Sequence, residues 1–379
     1  GPPPGPPPPP GIWGGGGQRR QEATPAELFR EVKQGKYDDC ELRRAWRNFQ
    51  HKASQRLGVN DRNGKRFRVL VATYVPDDPS SAKRWDDNFH TLSGNKAGDA
   101  FSFAIFHIDS GVSHWEALDW YASPAVVLRH KGPGCPANWW HMLRASFVES
   151  YDYVWLSDGD LHLGFFSWDI YRQVLALLQP LVTQPTIVPG SPADNRPGSG
   201  VHGLNMEGVE LGGEVVLARE VYRTEVMTPI LSTRVWRGVS SRLDNHDLRD
   251  AFFMDTVWDI PGLFNRHVCN GTGIIVVDAS PVRHMHTLLL GKMRKKGLSQ
   301  CTSGGGVGNN RNMTKATQAL LGGALPCEGG KKLLRTVWDQ WPTPGELTSY
   351  MKKRAPRLRQ WTLASLGAKA PIDAEPGAP

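Results

Sequence analysis

The sequence of 379 residues lacks long hydrophobic segments. No apolar run approaches the ~18 residues needed to cross a bilayer, and no signal-peptide core is present. We therefore expect the sequence as given to be soluble. Because it begins with Gly and not Met, we also expect an initial segment, such as an N-terminal membrane anchor, to precede it.

Cysteine is scarce as well. The five Cys residues are too few and too widely spaced for a disulfide scaffold, and no C-x-x-C pair indicates a structural zinc site. They are Cys40, Cys135, Cys269, Cys301 and Cys327. Their odd number leaves at least one free thiol or an intermolecular bond, so pairing and compartment stay open. Two N-x-[ST] sequons, at Asn270 and Asn312, would permit glycosylation in a secretory lumen.

Glycine and proline are concentrated at the N-terminus. Of the first 17 residues, 15 are Gly or Pro, without the Gly at every third position that collagen requires. A Pro-rich run followed by a Gly-rich one is typical of a disordered tether, which we assign to residues 1–23. We predict a helical extension over 24–65 and the main domain over 66–292. A flexible loop and a basic, helical C-terminal extension are expected over 293–379.

The formal net charge of +8 is unevenly distributed. Residues 101–290 contain 13 Lys and Arg against 20 Asp and Glu, a balance of −7. The basic charge therefore lies in the flanks, where runs such as 351–359 are typical of solvated faces. The acidic central part indicates that the protein does not act on nucleic acid.

From residue 66, short β-branched and aromatic runs alternate with helical patterns. Before them, Thr24-Pro25-Ala26-Glu27 predicts a capped helix to about residue 34, and a second helix is expected over 39–57. Strands are predicted at 66–75, 100–108, 124–130, 151–157 and 273–278, and helices at 137–150 and 168–178. The alternation predicts an α/β fold, with a mixed sheet flanked by helices. Ligands of such sheets bind beyond the carboxyl ends of the strands.

The segment YDYVWLSDGDLHL (151–163) carries the sharpest chemical signal. A buried-type strand ends in Asp158-Gly159-Asp160, where two carboxylates can turn toward one hard divalent cation. Such a cation bridges the phosphates of a nucleoside diphosphate and neutralises the leaving group. Asp-Gly is also a turn signal, so a simple β-turn is the alternative.

Two later clusters add candidate groups. In 243–259, Asp247, Asp250 and Asp255 share a helical stretch, and Asp255 is a candidate acceptor-binding group or general base. In 276–291, a strand ends before His284 and His286, of which we expect at most one to complete a metal shell.

Nucleotide contacts are expected at the ends of the other strands. Thr73 and Tyr74 end the first strand, and Arg129, His130 and Lys131 close the third. These basic groups can meet a phosphate or a base, or be solvated.

Together and in this order, the clusters resemble a family of plant and microbial domains of unknown function that is often labelled lysine ketoglutarate reductase trans-splicing-related. Its pattern is similar to that of GT-A glycosyltransferases. The resemblance covers roughly 66–292 and implies that Asp158 and Asp160 are the acidic motif, that Glu225 precedes the VMTPILSTRVW stretch, and that Asp255 and His284 match the family's Asp and His. No G-x-G-x-x-G opens a helix after a strand, so the sequence does not support a reductase.

The resemblance implies a GT-A-like (Rossmann-like) catalytic domain with helical extensions at both ends. We expect a metal-dependent glycosyltransferase in the Golgi lumen that moves a sugar from a nucleotide-sugar donor to a glycan, protein or small-molecule acceptor. Asp158, Asp160 and His284 would hold Mn²⁺ or Mg²⁺, and Asp255 and Glu225 would serve the acceptor. A non-catalytic carbohydrate-binding module, with some of the 14 Trp stacking on sugars, and an aspartate-nucleophile phosphatase are the alternatives.

Overall fold

The computed structural model describes residues 23–36, 40–57, 66–132, 134, 136–189, 210–211, 214–240, 254–285, 327, 353, 358–368 and 372–373. In these ranges the helices are α1 (Pro25–Lys33), α2 (Cys40–Leu57), α3 (Pro79–Ser93), α4 (Ser113–Glu116), α5 (Pro136–His141), α6 (Ala145–Val148), α7 (Trp168–Leu178), α8 (Thr233–Ser240), α9 (Met254–His267) and α10 (Leu363–Ala368). The strands are β1 (Arg68–Val75), β2 (Ala100–His107), β3 (Val126–Lys131), β4 (Tyr153–Asp158), β5 (Leu161–His162), β6 (Val182–Pro189), β7 (Glu210–Leu211), β8 (Glu214–Val221), β9 (Ile230–Ser232), β10 (Ile274–His284), β11 (Arg359–Thr362) and β12 (Ile372–Asp373).

The strands form one mixed sheet, so the predicted α/β fold class is confirmed. Its order is β12-β11-β8-β10-β6-β9-β4-β1-β2-β3. The β4-β1-β2-β3 group is parallel, as is the β6-β10 pair, while β9 joins the two groups as a short antiparallel strand. Both groups therefore run in the same direction, and their carboxyl ends lie along one edge of the sheet, where α/β proteins bind ligands.

Side chains alternate between the two faces of the sheet, as the pleat requires. In β1, Val69 and Val71 pack in a cluster with residues of α1, α2, α3 and α7. Leu70, Ala72 and Tyr74 pack on the other face, with residues of α5, α6, α8 and α9. Two apolar layers thus fix the sheet from both sides and hold the strand ends in place.

The N-terminal and central helices follow their sequence signals with one exception. Helix α1 begins with the predicted capping box between Thr24 and Glu27, and α7 has the predicted bounds. The single helix predicted over 137–150 is wrong, because α5 and α6 are separate. Between them, the carbonyl of Leu143 accepts a hydrogen bond from Trp236 Nε1 at 2.9 Å, so it is used in a tertiary contact.

The C-terminal extension is not purely helical, which corrects that part of the prediction. Strand β11 pairs antiparallel with β8, so the sheet extends beyond the 66–292 boundary. The carboxylate of Glu220, in β8, is buried. It accepts hydrogen bonds from the guanidinium and the backbone N–H of Arg359, and it forms an ion pair with Arg266 of α9. This network ties the C-terminal strand to the main domain.

Among the described cysteines, Cys269 and Cys327 form a disulfide, and Cys40 is exposed and unpaired. None of the described helices has the length and apolar character that a bilayer span requires. Of the tether predicted over 1–23, all but residue 23 lies outside the described residues, as does the Gly-rich loop at 301–312.

Candidate metal centre

The acidic motif lies in the tight turn between β4 and β5. Strand β5 pairs antiparallel with the carboxyl end of β10, where Leu161 is opposite His284. The backbone N–H of Met285 donates to the carbonyl of Asp160 at 3.0 Å. In the sheet, β9 and β6 separate β4 from β10. The short strand β5 therefore brings the end of β10 to the acidic turn.

Asp158, Asp160 and His284 converge at this point. One ligand atom from each residue lies within 4.8 Å of the other two. His284 Nε2 is 3.2 Å from Asp160 Oδ1, and both side chains are buried, whereas Asp158 is half-buried. In the part of the chain that the structure describes, these three form the one group of His, Cys, Asp and Glu with metal-site geometry.

Two carboxylates in so small a volume repel each other. The pKa of Asp158 is raised to about 7, mainly by burial and next by the charge of Asp160, although the hydrogen bond from Tyr74 and the charge of His284 lower it. The charge of Glu225 adds a smaller increase to this pKa. A bound cation would remove this repulsion, because it favours the ionised form of both carboxylates.

Tyr74 holds one of the two carboxylates. Its hydroxyl donates to Asp158 Oδ1 at 2.6 Å, and its ring stacks on Trp139 at 5.5 Å between centroids. Burial raises the pKa of Tyr74 well above its ordinary value, and the charge of Asp158 adds to this effect, so the phenol keeps its proton and stays a donor. Tyr74 thus fixes the orientation of Asp158 from the neighbouring strand.

Gly159 is required between the two aspartates for a steric reason. A Cβ atom there would lie 2.1 Å from the carbonyl oxygen of Tyr74 and 3.0 Å from Val75 Cγ1. The carbonyl of Gly159 also accepts hydrogen bonds from Arg84 at 3.1 Å and from Trp85 Nε1 at 3.0 Å. The turn is therefore held between β1 on one side and α3 on the other.

Arg84 and Trp85 were missed by sequence reasoning. Both lie in α3, which begins at an N-cap in which the backbone N–H of Ser81 donates to Asp78. No local pattern distinguishes a side chain that binds a distant carbonyl from one that packs in the core, so the sequence offered no signal for their role.

The two residues at the end of β1 that were predicted to contact a nucleotide differ in orientation. Thr73 and Tyr74 point to opposite faces of the sheet, because neighbouring residues of a strand alternate. Thr73 is fully buried, so its side chain is not accessible to a nucleotide in this structure. Tyr74 is buried as well and binds Asp158.

Arg129 and Lys131 lie at the same edge of the sheet but away from the acidic turn. Strand β3 is three places from β4, which is about 14 Å at the usual strand spacing. Arg129 donates to the backbone carbonyls of Tyr121 and Ser123, the latter at 3.1 Å, and Lys131 forms an exposed ion pair with Glu116 at 3.7 Å. The structure therefore does not bring these two cations to the metal candidates.

The structure brings the segment of Glu225 to the acidic turn. The backbone N–H of Asp158 donates to the carbonyl of Met227 at 2.8 Å, and the backbone N–H of Glu225 donates to Gln184 Oε1 at 2.6 Å. The carboxylate of Asp259, in α9, accepts hydrogen bonds from the backbone and hydroxyl of Thr224.

Asp255 belongs to the first turn of α9, one helical turn before Asp259. The other residues of these clusters, Asp247, Asp250 and His286, lie outside the described residues.

The sequence matches one family model over residues 86–318, and the description of that family is "Protein of unknown function (DUF707)". No curated protein matches the sequence. Among solved structures, S. aureus TarS 1–349 is similar with 12% identity and a TM-score of 0.33, over 78% of this chain and 96% of that chain. S. aureus TarS 1–349 in complex with UDP-GlcNAc is similar with 13% identity and a TM-score of 0.37, over 79% and 97%. Because the family model spans more than half of the sequence, this protein belongs to the DUF707 family.

Proposed function

We propose that the protein is a metal-dependent glycosyltransferase that uses a nucleotide-sugar donor. The observation that carries the proposal is the convergence of Asp158, Asp160 and His284 at the carboxyl ends of β4 and β10. Two buried or half-buried carboxylates beside an imidazole, at the edge where α/β sheets bind ligands, suit a cation that holds a diphosphate.

The donor set favours Mn²⁺ over Mg²⁺. Mg²⁺ prefers a shell made of oxygen ligands, whereas a first-row transition ion accepts imidazole nitrogen beside carboxylate oxygen. When bound to Asp158, Asp160 and His284, such an ion would act as a Lewis acid and neutralise the leaving nucleoside diphosphate.

The surrounding residues of the chain prepare this site. Tyr74 orients the carboxylate of Asp158, and the contacts of Gly159 with α3 fix the spacing between the two aspartates. Because Asp158 is half-buried and the other two ligands are buried, the open side of the site is at Asp158. We propose that the donor diphosphate approaches from that side.

We propose that the acceptor lies between the acidic turn and the start of α9. A general base must reach the acceptor hydroxyl within hydrogen-bonding distance, and a carboxylate meets this need. The segment of Glu225 is bound to the acidic turn by the hydrogen bond from Asp158 to Met227, and Asp255 is in the first turn of the helix that Asp259 anchors to Thr224. Glu225 and Asp255 are therefore the candidates to orient or deprotonate the acceptor.

The more distant parts of the donor are proposed to extend along the same edge. Lys131 is exposed and ends β3, about 14 Å from β4, which suits contact with the far end of a nucleotide and not with the metal. Arg129 would have to leave the carbonyl of Ser123 before it could take the same role.

The described residues support neither of the two alternative functions, a carbohydrate-binding module and an aspartate-nucleophile phosphatase. A carbohydrate-binding module needs exposed aromatic rings, yet every described Trp is buried. A phosphatase of the aspartate-nucleophile type uses the first strand of its fold, whereas Asp158 ends the fourth in chain order.

We further propose that the protein functions in the lumen of the secretory pathway, in the Golgi. The disulfide between Cys269 and Cys327 supports this proposal, because disulfides persist in oxidising compartments.

Isothermal titration of nucleoside diphosphates, with and without Mn²⁺, tests the proposal. We expect binding that requires Mn²⁺ in the wild-type protein and is lost in Asp160→Ala. Asp119→Asn is the matched control, because it neutralises an exposed carboxylate outside the site and should bind normally. Binding that does not depend on the metal, or that is unchanged in Asp160→Ala, would contradict the proposed site.

A turnover assay separates the enzyme from its alternatives. Mn²⁺-dependent hydrolysis of a nucleotide sugar is expected for a glycosyltransferase without its acceptor. Glycan binding without turnover would instead support a binding module, and release of phosphate that is lost in Asp158→Asn would support a phosphatase.

A further inference from the structure

The loop between α9 and β10 carries one of the two glycosylation sequons, Asn270-Gly271-Thr272. Asn270 is exposed, whereas its neighbours are partly buried. The other sequon, at Asn312, lies outside the described residues. The exposed amide of Asn270 is therefore the acceptor group whose accessibility the structure establishes.

The loop holds Asn270 at a tight turn. Its φ is 51°, a left-handed conformation that Asn tolerates better than most residues. The backbone N–H of Gly271 donates to the carbonyl of Asn265 at 2.8 Å, and the hydroxyl of Thr272 donates to the carbonyl of Leu178 at 2.6 Å. The residues after Asn270 are thus bound to the body of the protein, and Asn270 remains at the surface of the turn.

The residue before the sequon, Cys269, indicates the cellular compartment in which the protein folds. Cys269 forms the disulfide with Cys327, which requires an oxidising environment. In eukaryotic cells the lumen in which such bonds form is also where asparagine side chains of sequons are glycosylated. The sequon and the disulfide are separate features of the chain, and both point to passage through that lumen.

We propose that Asn270 carries an N-linked glycan. The modification would form a bond between Nδ2 of Asn270 and C1 of the first sugar of a lipid-linked oligosaccharide. The bond between that C1 and the phosphate oxygen of the lipid diphosphate breaks, the diphosphate leaves with the electron pair, and one amide proton passes to a base of the transferase.

A glycan at this position leaves the proposed metal centre open. Asn270 precedes the amino end of β10, whereas His284 is the last residue of that strand. At the usual rise per residue, the 11 residues of β10 separate the two ends by about 30 Å. The modification is therefore expected to add mass and solubility at the edge of the sheet that faces away from the site, without a change in nucleotide binding.

The test is to secrete the full chain from a eukaryotic host behind a cleavable signal peptide and to analyse its peptides by mass spectrometry. Release of the glycan by peptide-N-glycosidase in heavy-oxygen water marks an occupied site. This label distinguishes it from spontaneous deamidation of the Asn270–Gly271 pair. Asn270→Gly keeps a residue suited to a positive φ and removes the acceptor amide, whereas Thr272→Ser keeps the sequon.

We expect the heavy-oxygen label on Asn270 in the wild-type chain and in Thr272→Ser, and a loss of the corresponding glycan mass in Asn270→Gly. Asn312→Gln is the control for the second sequon and should leave the label on Asn270 unchanged. An unlabelled Asn270 in secreted protein that contains the Cys269–Cys327 disulfide would overturn the proposal. Nucleotide titration of the same samples reports on the metal centre separately, so the two proposals fail independently.

Discussion

Substitution of Gly159 by Ala is the sharpest perturbation of the acidic turn. The added Cβ would lie 2.1 Å from the carbonyl oxygen of Tyr74, which is backbone and cannot move aside as a side chain would. The contact must lengthen by about 1 Å to reach even the shortest separations found in packed proteins. Because Gly159 separates Asp158 from Asp160, this displacement falls on the spacing of the two carboxylates.

The expected effect has two parts. Overpacking of this kind costs about 1–3 kcal/mol in the free energy of unfolding. Disturbing the groups that orient metal ligands costs about 10–100-fold in metal affinity, so we expect the affinity for Mn²⁺ to fall by a factor in that range. Urea denaturation measures the first quantity and isothermal titration of Mn²⁺ measures the second.

Gly94→Ala is the matched control, because it adds the same methyl group far from the site. Its Cβ would lie 3.0 Å from the carbonyl of His90, at a φ of −77° that any residue adopts. We expect its unfolding free energy to stay within about 1 kcal/mol of the wild type and its Mn²⁺ affinity to be unchanged. If Gly159→Ala binds Mn²⁺ with wild-type affinity, the steric account of the turn is wrong.

Three further substitutions test the scaffold. Cys269→Ser should lower the unfolding free energy by about 4 kcal/mol, because the bond to Cys327 closes a loop with a sequence separation of 58, and denaturation with and without reductant measures this loss. Burial lowers the pKa of His107 from 6.5 to about 4. Because the unfolded chain then binds a proton that the folded one does not, the free energy of unfolding should fall by about 2 kcal/mol as the pH drops from about 7 to 5. Urea denaturation at both pH values should show a smaller fall in His107→Gln. Arg359→Met should lower the unfolding free energy by about 1.5–3 kcal/mol in the same assay, because it removes the guanidinium from the buried Glu220, which keeps Arg266 as a partner; an unchanged midpoint would show that the Arg359–Glu220 pair contributes little to stability.

The strands that sequence patterns predicted share one property, which is an uninterrupted apolar run. β1, β2 and β4 were found on this basis within two residues of their bounds. β6 and β8 were missed because their patterns are broken. In β6, Pro185 is paired with Val277, at the point where the register between β6 and β10 shifts. In β8, the pattern contains the charged residues Arg219 and Glu220, whose ion-pair partners are distant in the sequence.

The site was predictable to the extent that it is local. Asp158 and Asp160 are two residues apart in the sequence at the end of β4, and His284 is the last residue of β10, so the topology of an α/β sheet brings them to one edge. The roles of Tyr74, Arg84 and Trp85 depend on contacts across the fold. The alternation of side chains along β1 also determines that Tyr74, and not Thr73, faces Asp158, and sequence reasoning had treated the two as equivalent.

The most direct test of the central claim is to locate the cation. Crystals of the protein grown with Mn²⁺ and a nucleoside diphosphate would give anomalous scattering from the metal. We expect a single strong peak within coordination distance of Asp158, Asp160 and His284, in contact with the diphosphate, and no such peak in Asp160→Ala. A bound diphosphate without a peak between these three residues, or a metal bound elsewhere, would contradict the proposed metal site.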